Sequence, residues 1–162
     1  MNAAAAHPIT LDRASIEQRI PHRGRMCLLH RLERWSAAEI RCIAVSHTDP
    51  DNPLRTASGL LAPCAIEYAA QAMALHGALL APADALPSPG YLASVRGVRL
   101  AVARLDDVAG ELQVHAERLA GDATQILYRF SLTDAEGSLL ADGRATVVLN
   151  TPIPASTAPD PT

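Results

Sequence analysis

One stretch dictates the plan of this chain. PCAIEYAAQAMALHGALLAP, residues 63–82, begins and ends on a proline with nothing between them to break a helix. Pro63 suits the first helical position, because the N–H it lacks is one the first turn does not use. Pro82 cannot continue a helix, so the spacing predicts one ending near Leu80. Its crowd of alanines lets other elements approach closely, which makes it the central, buried helix of the fold. Glu67, Gln71 and His76 interrupt the surrounding apolar segment, which is too polar to span a bilayer.

The other segments read as strands. MCLLHRLERW and AEIRCIAVSH form a first pair, with Ser36-Ala37 at the turn between them. A short helix over Asp12–Ile20 precedes the pair and ends before Pro21. A polar loop over residues 48–62, with two prolines and a glycine, leads into the long helix. After it come four strand-like segments, GYLASVRGVRLAVARL, GELQVHAERLAG, TQILYRFSLTDA and GSLLADGRATVVLN. Alternation is plainest at Leu112, Val114, Ala116; at Ile126, Tyr128, Phe130, Leu132; and at Ala145, Val147, Leu149. Gly121-Asp122 and Glu136-Gly137 supply hairpin turns. Two strands, one long helix and a four-stranded antiparallel meander make an α+β domain with one sheet packed on one helix. That domain is expected over 11–150, between a flexible N-terminus (1–10) and a Pro/Ser/Thr-rich tail (151–162).

Charge and cysteine content narrow the function. A net charge of −3 with no basic run argues against a nucleic-acid surface. Cys27, Cys42 and Cys64 are too widely spaced for a metal motif and read as reduced, buried thiols. No metal or cofactor is implied. MNAAAAHPIT lacks the basic and apolar regions of a signal peptide, so a cytoplasmic location is expected.

Three motifs carry a resemblance. IPHRGRMCLLHRL, residues 20–32, resembles the segment L-P-H-R-x-P-F-L-L-x-D-R-V of the β-hydroxyacyl-acyl carrier protein dehydratases, with Pro21, His22, Arg23, Leu28, Leu29 and Arg31 matching. IEYAAQAMA, residues 66–74, resembles the helix signature in which a catalytic Glu is followed four residues later by Gln. YLASVRGVRL, residues 91–100, resembles the strand beside the acyl tunnel. The resemblance covers about Ile20–Leu149 and leans toward the aryl-polyene or xanthomonadin-type branch. It implies a hot-dog fold, an antiparallel sheet wrapped around one central helix. It also implies a thioester substrate on acyl carrier protein or coenzyme A. The partner is a second copy or a related hot-dog subunit, since the family's site is built across two subunits.

The resemblance makes Glu67 the acid that protonates the leaving hydroxyl, with Gln71 beside it on the same helical face. The family's catalytic base is a His in an H-F-P-G turn about fourteen residues before the Glu; here that residue is Pro53 and no such turn occurs. His47, twenty residues before Glu67, is the nearest histidine on that side and serves as base only if the 48–62 loop folds back. His22, in the matched P-H-R, reads as a structural hydrogen-bonding residue, and His76 points away from Glu67. The missing motif keeps three functions open: a dehydratase with an unorthodox base, a non-catalytic acyl-binding or partner subunit, and a hot-dog thioesterase.

Overall fold

The computed structural model describes residues 10–85 and 90–149. Its elements are β1 (Leu11–Asp12), α1 (Arg13–Glu17), β2 (Arg31–Trp35), β3 (Glu39–Ala44), α2 (Ala65–Leu80), β4 (Gly90–Leu100), β5 (Leu112–Gly121), β6 (Gln125–Thr133) and β7 (Leu139–Leu149). The ends read as flexible, 1–10 and 151–162, lie outside the described residues except for Thr10.

The strands form one antiparallel sheet in the order β1-β2-β3-β5-β6-β7-β4. One row of paired residues crosses it from edge to edge: Leu11, Leu32, Cys42, Val114, Leu132, Ala141 and Leu100. All but Leu100 are buried, because alternate residues of a strand share a face and this face meets α2. From α2, Ala65, Tyr68, Ala69, Ala72, Met73 and Leu75 join the same core. Of the helix's residues only Ala78 is exposed, as the small side chains led one to expect. Phe130 fits the next row because its partner on β7 is Gly143; a Cβ there would lie 2.9 Å from the ring.

The structure modifies the expected topology at two places. The last four strands are not a simple meander. β5, β6 and β7 follow one another, but β4 pairs with β7 at the sheet's far edge while β5 pairs with β3. The first strand of the opening pair is also shorter than its sequence suggests. The amide of Leu28 donates to the Gln71 side chain and its carbonyl accepts from Ser46, so at Leu28 the chain bonds to α2 and its neighbours, and bonding to β3 begins only at His30, whose amide donates to the Ile43 carbonyl at 2.8 Å.

Candidate active site

The site forms where the segment after α1 meets the first turns of α2. Asp12 caps α1, its side chain accepting from the Ser15 amide at 2.9 Å. Pro21 follows the helix, and the Arg23 guanidinium donates to the carbonyls of Glu17 and Ile20. The next turn places Gly24 at φ 57, a left-handed conformation that a side chain disfavours. Between these anchors His22 projects onto α2.

Its Nε2 lies 2.9 Å from Glu67 Oε1. Gln71, one turn on, donates from Nε2 to the same oxygen at 3.1 Å and to the Met26 carbonyl at 2.7 Å. The Gln71 carbonyl oxygen accepts from the Leu28 amide at 2.9 Å. A carbonyl on one side and an amide on the other leave that side chain only one orientation. With Gln71 donating to Oε1, His22 is the second donor there and carries its proton on Nε2. Its Nδ1 is sealed from solvent and has no hydrogen-bond partner among the described residues. Glu67 Oε2 likewise has none, but it is not sealed: the Glu67 side chain is 34% exposed and that of His22 25%.

A buried polar network backs this arrangement. Ser46 donates its one hydroxyl proton to the Leu28 carbonyl at 2.8 Å, so the Tyr68 hydroxyl donates to Ser46 Oγ and accepts from Asn52 Nδ2 at 3.2 Å. Burial raises the Tyr68 pKa and keeps that donor neutral. Gln71 and, through Ser46, Tyr68, both on α2, thus hold the amide and the carbonyl of one residue, Leu28. Asn52 ties the start of the 48–62 loop to this network, and the loop's far end is anchored separately. Asp106 accepts from the Leu60 amide and is flanked by Arg104 and Arg55. The Arg104 guanidinium, foremost, holds its carboxyl well below the usual range.

The structure brings Glu67 and Gln71 together and adds His22, but it does not bring His47 to them within the protomer. The His47 ring is wholly buried, with Nε2 3.0 Å from the Val108 carbonyl, and burial depresses its pKa. The loop folds back, as a role for His47 required, but onto the segment after β4. His76 is where its position on the helix put it, with Nδ1 2.9 Å from the Tyr128 hydroxyl and Nε2 2.8 Å from the Ser36 carbonyl. Arg99 pairs with Asp142, its Nε 3.0 Å from Oδ1. His22, read from its place in the P-H-R motif as a structural hydrogen-bonding residue, has Glu67 as the partner the sequence did not name. Among the described residues no group of three or more His, Cys, Asp or Glu is placed to hold a metal.

Comparison with known proteins supplies the class, then the family. The chain resembles the dehydratase heterocomplex ApeI:P from Xenorhabdus doucetiae, with a TM-score of 0.74 at 23% identity, over 88% of this chain and 92% of that one. It also resembles a thioesterase from Haemophilus influenzae (TM-score 0.60, 11% identity, 88% and 92% covered). A mutant thioesterase from Pseudomonas aeruginosa is similar over 74% of this chain and 79% of its own (TM-score 0.56, 14% identity). At such identities these likenesses define the fold, and the fold is the hot-dog. No curated protein sequence matches the chain. Residues 14–157 match the ApeP-like family, described as ApeP dehydratase, and the chain belongs to that family. It is therefore a dehydratase-like hot-dog protein of the branch to which the three motifs pointed.

Proposed function

We propose that this chain is a subunit of a β-hydroxyacyl thioester dehydratase, cytoplasmic, acting on substrates carried by acyl carrier protein or coenzyme A. The observation that carries the reading is Glu67, one oxygen held by two donors and the other left open. Dehydration needs a proton delivered to the β-hydroxyl as the C–O bond breaks, and a fixed carboxyl with one accessible oxygen suits that step. Gln71 fixes the carboxyl without taking part. No described helix is long and apolar enough to cross a membrane.

The partner in this reading is a second hot-dog subunit, a copy or a relative. Supporting it, β4 is an eleven-residue edge strand with Tyr91, Leu92, Val98 and Leu100 exposed, a surface that natural sheets rarely leave unpaired. The similar protein from Xenorhabdus doucetiae is a heterocomplex. Sedimentation at micromolar concentration is expected to give a dimer, alone or with the related subunit; a monomer under both conditions would refute the pairing.

The test of function is incubation with a β-hydroxyacyl thioester, following enoyl product and free thiol together. Enoyl without thiol is expected. Free thiol would instead favour the thioesterase reading. Neither product would favour a non-catalytic partner subunit, which the absent H-F-P-G turn and the sealed His47 speak for.

A further inference from the structure

We propose that the outer face of the sheet carries an anion site, a cleft over β6, β7 and β4 in which arginines receive a phosphate group. Helix α2, with Glu67, packs on the opposite face, so the site stands whether or not the chain is a dehydratase.

Strand alternation builds the cleft. The row Ile40, Ala116, Phe130, Gly143 is buried toward the core, so the neighbours of these residues along each strand point outward. Beside that row Glu39, Glu117, Arg129, Arg144 and Arg96 pair in turn across five strands of the outer face. Arg99 is three residues past Arg96, and a regular strand would turn it inward. Instead Gly97 and Val98 together oppose Gly143, with Gly97 at φ 60, and this bulge brings Arg99 outward as well, opposite Asp142. A cleft of about 410 Å³ lies among Arg96, Arg99, Arg129 and Arg144, with His115 and Asp142 also on its walls.

The chain as a whole carries a net charge of −3, so this concentration of guanidinium groups is local. The acidic groups of the face are already engaged: Glu39 with His115 at 2.8 Å, Glu117 with Arg129 at 3.2 Å, and Asp142 with Arg99. Arg144 and Arg96 stand directly opposite each other, an arrangement of like charges that destabilises a strand pair. A second copy pairing along the β4 edge would not relieve it from that strand. β4, Gly90–Leu100, contains neither Asp nor Glu, and the copy would bring its own Arg96 and Arg99.

A phosphate group suits this geometry better than a carboxylate. Adjacent strands lie about 4.8 Å apart, so Arg129, Arg144 and Arg96 stand over about 10 Å, within which such long side chains converge on one group. Each guanidinium is a rigid fork of donors that matches phosphate bidentately, and a phosphate dianion offers three oxygens to three forks. Its charge offsets the repulsion between Arg144 and Arg96; a carboxylate brings two oxygens and one charge.

The test is a titration of the purified full chain, isotope-labelled and free of phosphate buffer, followed by NMR at the arginine Nε–H signals. Inorganic phosphate, phenyl phosphate and acetate are compared at equal ionic strength. Saturable binding of phosphate at one site is expected, with the Arg96 and Arg144 signals moving most and acetate at least about 10-fold weaker. R144Q and R96Q are each expected to weaken binding roughly 10-fold or more, and R144K less, because lysine keeps the charge without the fork. R34Q removes the same charge from the same face but over β2, away from the cleft, and is expected to change binding by less than about 2-fold. Each replaced side chain is exposed, so the fold is retained.

Phenyl phosphate binding at least as tightly as inorganic phosphate makes the ligand a phosphate ester of a larger molecule, and the reverse order makes it the free anion. Either order supports the site. Equal weakening by R34Q and R144Q would show only general attraction to a basic face and overturn it. Failure of both phosphates to bind would also overturn it, and a glutamate-rich peptide binding in their place would make the face a protein-docking surface instead.

Discussion

The two ends of α2 each hold a histidine, and the two are used in opposite ways. Near the C-terminal end His76 bridges the Tyr128 hydroxyl and the Ser36 carbonyl, both nitrogens are satisfied, and the ring is fully buried. Near the N-terminal end His22 meets Glu67 through one nitrogen, and the cluster leaves a carboxylate oxygen open. A polar network that closes on itself stabilises a fold and offers nothing to a ligand. One that closes on all sides but one fixes a reactive atom and presents it. Glu67 and His76 share a helix and differ in whether their neighbours use up every lone pair.

The sharpest way to break this contrast is to neutralise each end in turn. Glu67→Gln should cut enoyl formation by a factor of 100 or more while leaving thermal unfolding within a few degrees of wild type. A large fall in Tm would make Glu67 a structural residue and erase the distinction. His76→Leu should do the reverse. It strands the Tyr128 hydroxyl and the Ser36 carbonyl without partners, at a cost of about 2–4 kcal/mol by urea unfolding, with the rate per folded molecule unchanged.

Acid should separate the ends more gently. Burial depresses the His76 and His47 pKa values, so both rings are neutral in the folded chain and gain a proton more readily once it unfolds. The unfolded state then binds more protons, and stability is full above the ordinary histidine value of 6.5 and falls as the pH drops below it. The slope should be at most about 1.4 kcal/mol per pH unit for each ring, and His76→Leu should flatten it. A stability constant from pH 7.5 to 5 would contradict burial of these rings as neutral groups. The smallest effect belongs to Tyr128→Phe, which removes one hydroxyl from the closed network and should cost about 1 kcal/mol in unfolding with no change in activity.

Much of the frame could be read from the chain itself. Pro63 and Pro82 bracketed a helix that runs over Ala65–Leu80. The alternation at Leu112, Val114 and Ala116 marked buried positions of β5, and the same held at Ile126, Tyr128, Phe130 and Leu132 in β6. Glu67 and Gln71 sit four residues apart, a spacing that places side chains together on any helix, and they are hydrogen-bonded.

What reached across the sequence was harder to see. The pairing of β4 with β7 instead of β5 leaves no trace in either strand's own pattern, because alternation reveals a strand's buried face and not its neighbour. His47 drew attention by its nearness to Glu67 along the chain, yet its ring bonds to Val108, 61 residues away. His22 stands 45 positions before Glu67, and only the folding of the segment after α1 onto α2 brings them within 2.9 Å. Local steric and hydrogen-bonding rules let the sequence by itself determine the central helix, the strands and the Glu67–Gln71 pair. Which histidine meets that pair was decided by the tertiary structure, because such a contact depends on where distant segments are held, here by Arg23 on the end of α1 and by Gln71 and Tyr68 on either side of Leu28.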